Sequence, residues 1–315
     1  MISIEKNYTL PSSSGLADIN IVNYYPAADI AIKGVIQIAH GMAEHLERYA
    51  DFIDFLSMSG YVVFINDHLG HGKSVASDAD LGFFGETDGD LNLVNDMKLV
   101  TDLAKSKYPD VPYILFGHSM GSFLSRLYTE LYGDELTMAI YCGTAGANPA
   151  AGIGAKIASL IAKTKGSHYR STFINSLAFG SYNKRCRPQR TDYDWLTKEN
   201  SVVDEYIKDD YCGFLFTADG YKDLFTLLKK VNREDWFTSF DSSLPLMLIA
   251  GEEDPVGAYG AGVREVYDKL VATGHSNVSI KLYPGDRHEI LNETDKKTVY
   301  SDILTWINQN LEGEA

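Results

Sequence analysis

The segment Gly117-His118-Ser119-Met120-Gly121 lies between the apolar run Tyr113-Ile-Leu-Phe116 and an amphipathic run that begins at Met120. A serine on a tight strand-to-helix turn has its hydroxyl thrust clear of the sheet, and glycines on either side relieve the close contacts that such a turn imposes. Glycine and serine are common enough that the five-residue pattern is weak alone, and its position between strand and helix carries the weight. Ser119 is therefore a candidate nucleophile; the plainer account makes it the N-cap of a glycine-bounded helix.

A serine hydroxyl attacks poorly unless a base takes its proton. Of the eight histidines, His288 is the best placed, in the loop Tyr283-Pro-Gly-Asp-Arg-His-Glu289 that follows the last strand-like run. If the strands are parallel, that loop opens at the same sheet edge as Ser119. Asp254, in Gly251-Glu-Glu-Asp-Pro-Val256, follows the run Leu246 to Ala250 and is the candidate acid that orients the imidazole. Glu252 and Glu253 compete for that role, and the proline after Asp254 marks where the loop turns. Attack on a carbonyl builds charge on its oxygen, so two fixed N–H donors are expected. One is the amide of Met120, at a helix N-terminus; the other is the amide of Met42 in the glycine turn His40-Gly41-Met42.

Parallel strands alternating with helices can bring these loops to one edge, and the sequence has that alternation. Strands are expected at Ile19 to Tyr24, Gly34 to Ala39, Tyr61 to Asn66, Tyr113 to Gly117, Met138 to Cys142, Leu246 to Ala250 and Val278 to Tyr283. Helical periodicity falls at Tyr49 to Ser59, Leu91 to Lys107, Met120 to Tyr132, Tyr259 to Ala272 and Lys296 to Leu311. From Ala145 to Asp241 no buried strand is evident, so residues 145–241 read as an insertion into a core made of 1–144 and 242–315. Its expected helices are Gly154 to Lys163, Ser171 to Phe179 and Tyr221 to Val231.

The 43 acidic residues outnumber the 28 basic ones, for a net charge of -15, which argues against nucleic acid as a partner. No signal-peptide pattern opens the chain and no run is long enough to span a membrane, so a cytoplasmic protein without an integral membrane segment is expected. Cys142, Cys186 and Cys212 are odd in number and widely spaced, which argues against a disulfide framework or a structural zinc site. Gly72-Lys73-Ser74 lacks the upstream glycine of a phosphate loop, Asp67 standing there instead, and Gly152-Ile-Gly154 lacks the third glycine of a dinucleotide fingerprint. Asp67, His68 and His71 lack a second ligand group at metal spacing, so a hydrogen-bonded loop is expected and no metal.

Taken together, His40-Gly-Met-Ala-Glu-His-Leu-Glu-Arg-Tyr49, Asp67-His-Leu-Gly-His-Gly-Lys-Ser74 and the Ser119 segment resemble the monoacylglycerol lipase and lysophospholipase branch of the α/β-hydrolases. Arg190-Thr-Asp-Tyr-Asp-Trp195 and Tyr211-Cys-Gly-Phe214 resemble bacterial members with an enlarged cap, inserted after the sixth strand of that fold. The resemblance implies an α/β-hydrolase that cleaves small-molecule acyl esters without a cofactor, with Met42 and Met120 as oxyanion amides. It also places Glu44 and Arg48 at the polar head of a glycerol ester, although their spacing equally fits a helix ion pair. Monoacylglycerols or short acyl esters are the expected substrates, then lysophospholipids. A thioesterase, amidase or peptidase with the same residues is the first alternative, and a non-catalytic binding protein the second. Tyr169, Phe173, Phe179, Tyr182, Trp195, Phe214, Phe216 and Phe225 are candidates to line an acyl tunnel or to form the insertion's own core, and Lys184, Arg185, Arg187 and Arg190 form a basic run suited to an anionic head group or to solvent.

Overall fold

Eight strands share one sheet in the computed structural model of the chain, which describes residues 4–312. They are β1 (Ile4–Pro11), β2 (Asp18–Tyr25), β3 (Gly34–Ala39), β4 (Tyr61–Asn66), β5 (Tyr113–His118), β6 (Met138–Cys142), β7 (Leu246–Gly251) and β8 (Val278–Tyr283), in the spatial order β1-β2-β4-β3-β5-β6-β7-β8. From β4 to β8 every pairing is parallel, while β2 is antiparallel to both β1 and β4. All seven expected strands form. The eighth, β1, pairs only with β2 at the sheet edge and keeps most of its side chains in solvent, so it lacks the apolar run that marks the inner strands.

The strands β3 to β7 are buried on both faces, and their side chains alternate between two cores. One core takes Val35, Val62, Leu115, Ala139 and Leu248 beneath α2 (Gly89–Lys107), α3 (Met120–Tyr132) and α8 (Ala261–Ala272). The other takes Ile36, Val63, Phe116, Ile140 and Ile249 beneath α1 (Ala50–Met58) and α9 (Lys296–Glu312).

After β3 the chain lays β4 on one side and later β5 on the other. That reversal opens a crevice beyond the carboxyl ends of β3 and β5, the usual ligand position in such sheets. Ala39 is in register with Gly117, so the loops holding Met42 and Ser119 leave the sheet side by side. Gly251 is in register with Tyr283, which does the same for the loops of Asp254 and His288.

Between β6 and β7 stand α4 (Pro149–Lys165), α5 (Thr172–Phe179), α6 (Asn200–Lys208) and α7 (Ala218–Lys230). The short, charged α6 was not among the expected helices. Asn148 caps α4 through a bond from the Ala150 N–H, Ser171 caps α5 through one from Ile174, and Thr217 caps α7 through one from Gly220. Helix α4 packs on α7, which also rests on α2 and α3. Both ends of the segment are tied to α3 by the fully buried Arg126: its Nη1 donates to the Ala145 carbonyl at 2.9 Å and its Nη2 to the Val231 carbonyl, with the Trp236 ring 4.4 Å away. No helix among the described residues is long and apolar enough to cross a membrane.

Candidate active site

Ser119 stands on the turn between β5 and α3 with φ 55° and ψ -120°, a backbone conformation that L-residues avoid. The turn is held by its N–H, which donates to the Cys142 carbonyl at 2.9 Å, and by its carbonyl, which accepts from the Ser122 hydroxyl at 2.6 Å. Glycine is required beside it for space. A Cβ on Gly117 would fall 2.3 Å from the Gly121 carbonyl oxygen, and one on Gly121 would fall 2.1 Å from the Ala39 carbonyl oxygen.

His288 and Asp254 meet in the interior, Nδ1 to Oδ2 at 3.0 Å, with 2% and 0% of their surfaces exposed. Their approach is bent away from a straight hydrogen bond, and neither atom has another polar partner among the described residues. The other Asp254 oxygen accepts from the Val256 N–H at 2.8 Å. Glu253 is exposed and Glu252 half-buried, away from any such pairing. The Trp195 ring lies 5.2 Å from the imidazole and the Trp195 carbonyl accepts the His288 N–H, so the segment between β6 and β7 covers this loop.

Met42, in the loop after β3, and Met120, at the start of α3, line the same cavity as Ser119, and among the described residues neither backbone N–H is used in a hydrogen bond. The Met42 turn is braced by Glu44, whose Oε1 accepts the Gly41 N–H at 2.5 Å and the Tyr49 hydroxyl at 2.8 Å. Glu44 Oε2 takes a bond from Arg48 Nη1 at 2.5 Å, and Arg48 also grips both oxygens of Glu289, the residue after His288, at 2.7 Å. Burial disfavours charge on both carboxylates, but Arg48 together with His118 outweighs it, with His40 adding to the effect on Glu44, so Glu44 is held well below the usual carboxylate range and Glu289 below it. His118 joins the group, its Nδ1 3.2 Å from the Tyr49 hydroxyl and 3.4 Å from Glu44. Burial opposes a charge on that ring, yet Glu44 and then Glu289 bring its pKa above the ordinary histidine value.

Both sequence accounts of Glu44 and Arg48 touch this geometry. The ion pair forms, and Glu44 also lines the cavity, whereas Arg48 lies behind it between two carboxylates. Sequence reasoning missed His118, Tyr49 and Glu289 as members of the group; their adjacency to Ser119, Arg48 and His288 was the only signal.

A cavity of about 950 Å³ opens over Ser119 and His288. Of the candidate aromatics, Phe179, Tyr182, Trp195, Phe214 and Phe225 line it. Phe216 instead packs in the core against Phe84 and His71, and Phe173 and Tyr169 are exposed on the segment between β6 and β7. The basic run divides likewise: Lys184 and Arg187 line the cavity, Arg185 stacks 3.5 Å over the Tyr259 ring, and Arg190 pairs with Asp204 at 2.5 Å. Asp67 accepts from the Leu46 and Lys73 N–H groups and from Asn20, which makes it the centre of a hydrogen-bonded loop. His45, Asp209 and Cys212 bring atoms of metal-ligand type within 4.8 Å of one another. Two of those atoms are already bonded, His45 Nε2 to Asp209 Oδ2 at 2.8 Å, and burial pushes the Cys212 thiol up, which keeps its proton on.

A parallel sheet with an elbow serine after β5, an acid after β7 and a histidine after β8 is the arrangement of an α/β-hydrolase, and the chain is an ester-hydrolysing serine hydrolase of that fold. It belongs to the family described as serine aminopeptidase, S33, whose model matches residues 30–295. It is 27% identical to a monoacylglycerol lipase of Mycolicibacterium smegmatis over 95% of this chain and 97% of that one. It is 26% identical to the monoglyceride lipase of Rattus norvegicus over 89% and 84% of the two chains. Among solved structures, a thermostable carboxyl esterase from Bacillus coagulans, in complex with glycerol, superposes with a TM-score of 0.91 at 29% identity, covering 98% of this chain and 99% of that one.

Proposed function

We propose that the protein cleaves monoacylglycerol-like or short acyl esters, with Ser119, His288 and Asp254 as its catalytic residues. Ser119 Oγ attacks the ester carbonyl carbon while His288 Nε2, left free because Nδ1 faces Asp254, takes the hydroxyl proton. The carbonyl oxygen becomes negative between the N–H groups of Met42 and Met120. His288 returns the proton to the departing alcohol, leaving an acyl group on Ser119. Water, deprotonated by the same imidazole, then releases the carboxylic acid and restores the serine. Residues 145–241 act as the cap, with Phe179, Tyr182 and Phe225 against the acyl chain.

The observation that carries this reading is the convergence of Ser119, the Asp254–His288 contact and two unused N–H groups on one aromatic-walled cavity. The relatives named for monoacylglycerols and the esterase structure support an ester of a small polyol. Glu44, on the cavity wall, would then face the alcohol portion, with Arg48 behind it. The three free thiols support a cytoplasmic setting, and the acidic composition supports a small-molecule substrate over nucleic acid.

Burst and steady-state hydrolysis of p-nitrophenyl acyl esters of graded length, with wild type and Ser119→Ala, tests the reading. Turnover lost with the hydroxyl is expected, together with a chain-length optimum that sizes the cavity. The family name raises a second reading, cleavage of an amide at a peptide N-terminus. Matched ester, thioester and amide substrates separate the two, and an amide preference would overturn the ester assignment.

A further inference from the structure

The loop that carries the Met42 N–H is held from the insertion as well as from the core. Ala43, next to Met42, has φ 51°, a left-handed conformation unusual for a residue with a side chain. Its carbonyl oxygen accepts two bonds, from the Gly213 N–H at 2.9 Å and from the Tyr206 hydroxyl at 3.0 Å. Two residues on, His45 Nε2 meets Asp209 Oδ2 at 2.8 Å, and the other Asp209 oxygen accepts the Tyr211 N–H at 2.8 Å. Tyr206 is itself fixed, with the Arg48 guanidinium 4.9 Å from its ring centre. Tyr206 through Gly213 are thus one short stretch, α6 and its following turn, that grips the loop at two points.

We infer that Tyr206 and Asp209 are positioning residues for catalysis, which clamp the Ala43 carbonyl and His45 so that the Met42 N–H stays aimed at the oxyanion. This rests on the reading of Ser119 and Met42 given above. A strained peptide persists only where its surroundings hold it, and here part of the holding comes from the insertion. The oxyanion site is complete only while α6 is seated, so lifting the insertion to admit substrate also relaxes one of the two donors. Catalytic competence is thereby coupled to closure through hydrogen bonds that touch neither Ser119 nor His288.

The test compares wild type with Tyr206→Phe, Asp209→Ala and Asp209→Asn on a p-nitrophenyl ester, with active sites counted by fluorophosphonate labelling and affinity measured for an alkyl boronic acid. That probe forms a tetrahedral adduct on the serine with an oxygen in the oxyanion site. For Tyr206→Phe and Asp209→Ala a fall in kcat of about ten-fold is expected, short of the roughly hundred-fold that a misplacement of about 1 Å can cost. KM should stay within about two-fold, boronate affinity should fall by the same factor as kcat, and Asp209→Asn, whose amide oxygen can still accept the Tyr211 N–H while its NH2 can donate to His45 Nε2, should recover part of the loss. Unchanged kcat and boronate affinity in the folded, labelled variants would overturn the clamp and leave these as packing residues. A rise in KM alone would overturn it too, since Tyr206 lines the cavity and would then be a substrate contact. Failure of the underlying reading looks different: wild type would ignore the boronate, and Ser119→Ala would retain turnover.

Discussion

Arg48 meets Glu289 edge to edge across 241 residues of sequence, Nη1 and Nη2 each 2.7 Å from a different carboxylate oxygen. The same guanidinium holds Glu44, so one cation joins the loop after β3 to the loop of His288. Arg48→Ala would leave two carboxylates, each 3% exposed, without their counter-ion. A loss of about 3–5 kcal/mol in urea denaturation is expected, because breaking a buried ion pair strands the remaining charges. Arg48→Lys should lose less but remain destabilised, since an ammonium cannot make the paired contact. A change below about 1 kcal/mol in the alanine variant would mean that water replaces the guanidinium freely.

Acid should act on the fold through buried groups of both signs. His40, His68 and His71 are fully buried, and burial sets their pKa values below the ordinary 6.5. The unfolded chain then binds more protons than the folded one as pH falls past 6.5, so stability declines from there downward. Glu44 and Glu289 have folded values below the ordinary 4.5, so their contribution is complete above 4.5 and disappears as pH falls through the folded values. His118 acts oppositely: its raised value contributes stability below 6.5 that fades as pH climbs through the folded pKa. Burial pushes Asp223 up to about 7, so that carboxyl adds stability as pH falls below 7 and opposes the three imidazoles. Unfolding free energies measured between pH 4 and 8 should therefore fall more steeply from 7 to 5 in Asp223→Asn than in wild type, and identical curves would contradict the opposing titrations.

Among the three acids after β7, only Asp254 reaches His288. Asp254→Asn should lower kcat by about four orders of magnitude, because an amide favours the wrong imidazole tautomer. Glu252→Gln and Glu253→Gln should stay within about two-fold of wild type, as expected of surface changes away from the chemistry. Steady-state kinetics on one ester with all three variants decides it. Loss of activity in a glutamine variant with retention in Asp254→Asn would reassign the acid.

Two glycine substitutions should move stability in opposite directions. A Cβ on Gly121 meets the Ala39 carbonyl oxygen at 2.1 Å, in backbone that cannot swing aside, so Gly121→Ala should cost about 3 kcal/mol or more. Gly152, on α4, has nothing within 4 Å of an added Cβ. Gly152→Ala should gain up to about 1 kcal/mol from helix propensity. Thermal melts of both variants check the pair, and equal shifts would mean that the Ser119 turn is looser than its geometry requires.

The inner strands were legible because each is a short apolar run buried on both faces, and the Ser119 turn because its glycines are local requirements. Strand β1 escaped because an antiparallel edge strand with a solvated face, Glu5 to Asn7 included, has no such run. Helix α6 escaped because Asn200 to Lys208 is short and mostly polar. Among the aromatics, spacing could not separate Phe216, which packs into the core, from Phe214, two positions earlier on the cavity wall. Both are apolar, and only the path of the chain around α7 determines which one faces the void.

What the sequence determined by itself is the chemistry available and its order: a serine on an elbow, then an acid, then a histidine, each after an apolar strand. Those signals are contiguous, because turns, strands and helix starts are set by neighbouring residues. What the tertiary structure alone decided is which distant groups brace that chemistry. Arg48 with Glu289 and Tyr206 with Ala43 are 241 and 163 residues apart, and such pairs meet only once the strand order has brought their loops to one edge of the sheet.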